Sequence, residues 1–178
     1  TSSFRREFQL RRIRNDLNYK TIRGNVDTRI SKLNNNDYDS IILSKAGIKS
    51  LKLDHLISEE FSTEKIIPSA GQGIVSIQCR KEDEDIINLL SKVNDKVTSI
   101  SALSERKVLR ILEGDCHTPV GVFSKVNNDN FEISGELFSI DGKKRYFKTI
   151  KDISSNFLKA STELGKYLKL EAKDTYKK

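Results

Sequence analysis

One thiol and one group of arginines are the side chains here whose types and spacing could do chemistry. In this 178-residue chain the run Leu112-Glu113-Gly114-Asp115-Cys116-His117-Thr118-Pro119-Val120-Gly121 sets a cysteine among turn-forming residues, between a helical stretch and a strand-like one. A turn can hold a side chain in place and leave its sulfur open, which suits a nucleophile or a covalent attachment point. On local grounds a small residue filling a turn explains Cys116 equally well. The arginines Arg5, Arg6, Arg23 and Arg29 cluster near the start of the chain. A guanidinium grips a carboxylate through two parallel hydrogen bonds, a geometry lysine does not offer.

The net charge is +7. Much of it is lysine of the kind found on solvated surfaces, as in Lys143-Lys144 and Lys177-Lys178. A nucleic-acid-binding module is the other generic reading of such charge, but no basic stripe interleaved with stacking aromatics occurs. No apolar run is long enough for a membrane helix. Two cysteines, Cys79 in an apolar run and Cys116 in the turn, make no disulfide framework, so a reducing compartment is expected. The opening residues carry no apolar signal region, and the lack of Met at position 1 leads us to expect sequence ahead of Thr1.

The elements that must position these side chains follow from hydrophobic spacing. Thr1-Ser2-Ser3 offers caps for a helix over 4–14. Strands are expected over 18–22, 40–43 and 74–79, and helices over 26–33, 46–53, 82–93 and 98–112. After the cysteine turn, strands over 120–126, 131–138 and 145–150 are separated by Asn127-Asn128-Asp129-Asn130 and Ser139-Ile140-Asp141-Gly142, which predicts an antiparallel meander. A helix over 154–170 closes the chain. Alternating strands and helices in the first part point to an α/β unit with parallel strands, and the last part to an α+β unit with a three-stranded antiparallel sheet on helices.

Several motifs, in order, resemble one family. They are Thr1-Ser2-Ser3-Phe4-Arg5-Arg6, Ile22-Arg23-Gly24-Asn25-Val26-Asp27-Thr28-Arg29, Tyr38-Asp39-Ser40-Ile41-Ile42-Leu43, Ala46-Gly47-Ile48-Lys49, Pro68-Ser69-Ala70-Gly71-Gln72-Gly73, and Ser104-Glu105-Arg106 through the Cys116 turn. Together they resemble hydroxymethylbilane synthases, also called porphobilinogen deaminases, which build a tetrapyrrole precursor from porphobilinogen. The resemblance fades only after Asp141. It implies three domains in the parent enzyme, the first two like periplasmic binding proteins. On that pattern 1–67 is part of domain two, 68–93 returns to complete domain one, and 94–178 is domain three.

The resemblance also implies roles. Cys116 would carry a covalent dipyrromethane cofactor. Arg5, Arg6, Arg23 and Arg29 would contact carboxylates of cofactor and substrate, with Thr1, Ser3, Gly24 and Gln72 beside them on the cofactor. The catalytic aspartate would lie in the domain that precedes Thr1, since Asp39, Asp54 and Asp115 are not its counterparts, so this piece alone is expected to be inactive. Porphobilinogen and polypyrrole intermediates are the implied partners, with a monomeric parent in the cytoplasm or the stroma of a plastid-type organelle. A non-catalytic small-ligand binder would share the fold but leave the Cys116 turn without a use. Ser50 and Leu56 stand where the family usually has arginine, and Asp115 and His117 flank a thiol more often flanked by Gly and Gln. Arg11, Arg12 and Arg14 read as solvated helix charges, His55 and His117 as bystanders, and Cys79 as a buried strand thiol.

Overall fold

The computed structural model describes residues 1–177. Helix α1 (Phe4–Ile13) starts at Ser3, whose hydroxyl accepts a hydrogen bond from Arg6 N at 3.4 Å, with Glu7 in its first turn and Arg11 and Arg12 in its last. That charge order complements the helix dipole. Helix α2 (Val26–Asn34) is capped by Asn25, and α3 (Lys45–Ser50) is a short turn of helix followed by a 3₁₀ turn at Asp54–Leu56. Helix α4 (Glu84–Ser91) is capped by Asp83.

The second half closes its own core. Helix α5 (Lys96–Leu112) leads to strands β1 (Val120–Asn127), β2 (Asn130–Phe138) and β3 (Arg145–Ile153), then helix α6 (Phe157–Ala172). The sheet is antiparallel throughout, in the order β1-β2-β3, with Val122 opposite Gly135 and Ile133 opposite Ile150. Asn128 takes a left-handed φ of 53° in the tight loop between β1 and β2, a conformation asparagine tolerates. Val108 and Leu112 of α5, Leu164 and Leu168 of α6, and Val122, Ile133 and Leu137 of the sheet are fully buried together. Gly165 lets the two helices touch, since a Cβ there would lie 2.9 Å from Ile111 Cδ1.

The first helix docks on this unit. Phe8 packs edge-on against Phe138 with ring centroids 5.8 Å apart, and Arg12 reaches Glu136 at 3.3 Å. The chain from Ile67 to Pro68 lies along β1, where Val122 N donates to Pro68 O at 2.9 Å. Arg12 is therefore not the free surface charge expected of it. It shares the buried carboxylate of Glu136, which is 3% exposed, with Arg145.

Mixed helix and sheet were expected and are present. The antiparallel meander occupies the anticipated places, and the helices start or end within a few residues of expectation. Three strands are not there. Residues 18–22, 40–43 and 74–79 form no ladder among the described residues, and a strand exists only through its ladder. The apolar side chains that gave the strand signal divide accordingly: Ile22 is used for packing, whereas Val75 is 89% exposed. Helix α4 buries none of its residues, so Ile86 and Leu89 do not face inward as their spacing indicated, and Cys79 is half-buried outside any strand.

Candidate functional site

The cysteine turn is built by the end of α5. Glu113 ends that helix in the left-handed region, φ 55°, and the buried Tyr176 hydroxyl donates to Leu112 O at 3.0 Å. Asp115 then organises the loop around the thiol. Its Oδ1 accepts from His117 N at 2.8 Å, from Thr118 N at 3.0 Å and from the Thr118 hydroxyl at 3.1 Å. Its own N–H donates to Thr118 Oγ1 at 2.9 Å. These donors hold the Asp115 carboxyl below its ordinary range, the His117 amide most of all. Cys116 sits inside this knot with its thiol free and exposed. Asp115 thus fixes the turn without occupying the sulfur, and Pro119 leads into β1.

The arginines form the second part. Arg5 is 6% exposed, and its guanidinium donates to Ile67 O at 2.6 Å and to Gln72 Oε1 at 3.3 Å. Among the described residues no carboxylate forms an ion pair with it. Burial, and then the nearby charge of Arg6, lower its pKa to about 10, so it stays cationic at neutral pH. Arg6 donates to Ile42 O at 3.0 Å, and burial and the charge of Arg29 lower its pKa too. Arg29 donates to Gly24 O at 2.8 Å. Arg5 thus feels Arg6, and Arg6 feels Arg29, and the charge of Glu136 offsets the cost at Arg5 only in part. Burying cations side by side costs free energy unless an anion arrives to share them.

The smaller residues set up this cluster. Ser3 caps α1 and so places Arg5 and Arg6 one turn in, and Thr1 Oγ1 accepts from Ser3 N at 3.2 Å. Gly24, at φ +119°, turns the chain into α2, and a Cβ there would lie 2.7 Å from Thr28 Cγ2. Only glycine fits that turn. Gln72 takes its place from Ser69, whose hydroxyl donates to Oε1 at 3.2 Å. Arg23 and Cys116 hydrogen-bond to none of these side chains. The structure therefore joins Thr1, Ser3, Arg5, Arg6, Gly24, Arg29 and Gln72 into one connected set, and leaves Arg23 and the thiol outside it.

Two residues that sequence reasoning passed over hold the set together. Gln9 brackets Ile67, donating to its carbonyl at 3.0 Å and accepting from its N–H at 2.6 Å. Glu105, 4% exposed, accepts from Gly71 N at 2.7 Å with one oxygen and from Ser124 N at 2.9 Å with the other. It ties the Gln72 loop to both α5 and β1. The signal was available, because Glu105 shares the inward stripe of α5 with Val108 and Leu112.

Comparison with known proteins places the chain in a family. Residues 1–88 match the family model described as porphobilinogen deaminase, dipyromethane cofactor binding domain, and residues 99–174 match porphobilinogen deaminase, C-terminal domain. A porphobilinogen deaminase of Prochlorococcus marinus (strain MIT 9515) is 44% identical over 168 residues, covering 94% of this chain and 52% of the relative. Those of Exiguobacterium sibiricum and Roseiflexus sp. (strain RS-1) are 42% and 40% identical, over 81% and 80% of this chain and 47% of each relative. The chain thus spans about half the length of the curated relatives it matches. With both of the family's models matched in order along one chain, this protein belongs to the porphobilinogen deaminase family.

Proposed function

We propose that this chain is the carboxylate-gripping and cofactor-bearing part of a hydroxymethylbilane synthase. The whole enzyme would join four porphobilinogen units with release of ammonia. In each condensation a carbon–carbon bond forms between the aminomethyl carbon of the incoming unit and the free α-carbon of the preceding pyrrole. The carbon–nitrogen bond breaks, the α-carbon loses its proton, and the amine leaves as ammonia. The observation that carries this reading is the run of buried Arg5 and half-buried Arg6 and Arg29, none of them ion-paired among the described residues. Porphobilinogen bears an acetate and a propionate, and such side chains supply the missing anions. Arg23, at the turn before α2, would add a further grip.

Cys116 fits a dipyrromethane cofactor. Its sulfur is exposed, unpaired, and carried by a turn that the Asp115 carboxylate already ties together. When bound, that group supplies the anchored pyrrole from which the product chain is built. The residues of this chain bind and orient. Thr1, Ser3, Gly24 and Gln72 shape the wall beside the cofactor, and Arg5, Arg6, Arg23 and Arg29 hold its carboxylates. The acid that protonates the leaving amine is assigned to no residue here, and Asp115 is committed to its turn. The isolated chain should therefore make no product.

The domain pattern belongs to the same reading. Residues 1–67 would be part of a periplasmic-binding-protein-like α/β domain, 68–93 a segment completing another such domain, and 94–178 the α+β domain with the cysteine. Val75, Ile77, Leu89 and Val93 stand exposed, as a segment that finishes a sheet elsewhere would leave them. Among the described residues no helix is long and apolar enough to cross a membrane. Two free thiols suit a reducing compartment, the cytoplasm or a plastid-type stroma, and we take the parent to be a monomer.

Intact-mass and peptide-mapping measurements on the full-length protein test the reading. Incubation with porphobilinogen should yield pyrrole mass on Cys116 and none on Cys79, and Cys116→Ser should abolish it. Adduct on Cys79, or a Cys116→Ser protein that still gains pyrrole mass, would overturn it.

A further inference from the structure

Arginines in this protein divide by whether they have an acid. Arg11, Arg12, Arg14, Arg80 and Arg145 each form an ion pair. Among the described residues Arg5, Arg6, Arg23 and Arg29 form none, and these are the four assigned to pyrrole carboxylates. Only two others share that condition, Arg106 and Arg110. They stand one turn apart on α5, and neither side chain makes a hydrogen bond within the described residues.

Like charges four residues apart on a helix repel, so this pair destabilises α5 slightly and is not explained by the fold. The two arginines also face a common space. With Leu109, Glu113 and Gly114 they line a groove of about 280 Å³ that runs up to the cysteine turn. Glu113 is the one acid of that groove, and it is engaged elsewhere. Lys169 and Lys177 bind its two oxygens at 3.0 and 2.9 Å, which leaves both guanidinium groups without an internal anion. Gly114, which lines the groove, is two residues along the chain from Cys116.

We infer that Arg106 and Arg110 form a second carboxylate site, which grips acetate or propionate side chains of the pyrrole units attached at Cys116. The inference rests on the proposed function, because it needs pyrroles anchored at that thiol. The N-terminal arginines would then hold the chain from one side and this pair from the base of the anchor. A guanidinium suits the task, since a carboxylate arriving at a solvent-facing groove is best held by two parallel N–H donors. The repulsion between the pair is relieved when that anion binds, so the site is poised toward the loaded protein.

The experiment compares full-length wild type, Arg106→Gln/Arg110→Gln, Arg106→Lys/Arg110→Lys and Arg11→Gln, each with a free thiol and after loading with porphobilinogen. Two quantities are read for each, the thermal midpoint and the successive pyrrole mass increments at Cys116. Without pyrroles the glutamine double variant should melt no lower than wild type, since it loses no contact and one repulsion. Loading should raise the wild-type midpoint, and the glutamine double variant should lose much of that rise. Its mass increments should also appear about tenfold more slowly, or slower still, the cost of losing charge-assisted hydrogen bonds. The lysine pair should recover part of both effects, and Arg11→Gln, which removes a cation already paired to Glu7, should match wild type. Equal loading shifts and equal increments in wild type and the glutamine variant would overturn the inference and leave the function standing. A glutamine variant that melts lower before loading would also overturn it, by showing a structural role. If wild type itself gains no pyrrole mass at Cys116, the proposed function fails and the inference falls with it.

Discussion

Around α5, α6 and the sheet, Val108, Leu112, Val122, Ile133, Leu137, Leu164 and Leu168 are buried completely, whereas α2 and α4 bury no residue at all. The first region holds its shape by excluding water. The arginine-bearing region buries fewer apolar side chains, Phe8, Leu10, Ile22, Ile48 and Ile67, and adds polar ties to the main chain: Gln9 and Arg5 on Ile67, Arg6 on Ile42, Arg29 on Gly24. The difference separates two tasks. A thiol that must carry a growing ligand is mounted on a packed scaffold. Cations that must meet ligand carboxylates sit where backbone carbonyls orient them, without an ion pair among the described residues.

Core truncation should break the comparison most visibly. Leu164→Ala removes a fully buried side chain between α5 and the sheet and should cost about 2–5 kcal/mol. Val75→Ala, on an exposed side chain, should stay within about 0.5 kcal/mol in this chain. Urea unfolding of the two variants checks both values. Similar losses would show that residues 74–79 are packed, contrary to their exposure.

Substitutions of arginine come next, and they should split binding from stability. Arg29→Leu in the full-length protein should weaken porphobilinogen binding about tenfold or more, the value of a charge-assisted contact of roughly 1.5–3 kcal/mol, while leaving the melting temperature nearly unchanged. Arg12→Leu should do the reverse at smaller scale. Its partner Glu136 keeps Arg145, and Arg12 itself is half exposed, so the loss should be about 1 kcal/mol or less with binding intact. Titration of substrate alongside thermal melts would reveal the split. Matching effects at Arg12 and Arg29 would remove the distinction between ligand-facing and fold-facing arginines.

How far these two regions were legible in the sequence differs for the same physical reason. The meander and its flanking helices carry their partners nearby, so alternation in 131–138 and the Asn-rich turn fixed their places. Residues 74–79 show the same apolar pattern, yet a strand needs a neighbour, and local pattern cannot state whether one is present. The arginines were located by motif, but their grouping was not. Nothing in the spacing of Arg6 and Arg29 says that one lowers the pKa of the other. Arg12 was misread because its partner Glu136 lies far along the chain, on the face of β2 that meets α1.

The smallest expected effect concerns Glu105, the carboxylate where the two regions join. It accepts from Gly71 and Ser124 but has no cation within ion-pairing distance among the described residues. Burial therefore pushes its pKa above the ordinary 4.5, and the three donors only partly offset this. The sign follows from proton counting. Between 4.5 and the raised folded value, the folded chain holds more protons than the unfolded one, so stability falls as pH rises through that window. The cost of the buried charge is fully present above the window and absent below it. Asp115 behaves oppositely, since its lowered pKa gives stability that is lost as pH falls through the acid range. Glu105→Gln removes the titration, and its one carbonyl oxygen can serve only Gly71 or Ser124. A loss of about 1 kcal/mol should result below the window, the value of one hydrogen bond, and it should shrink above the window, where wild type alone bears the buried charge, so the variant has the flatter profile just above pH 4.5. Urea midpoints for wild type and variant from acid to neutral pH measure both. Parallel profiles through that window would mean that Glu105 titrates as a solvated carboxylate, and that the tie between the Gln72 loop and the packed half is not made.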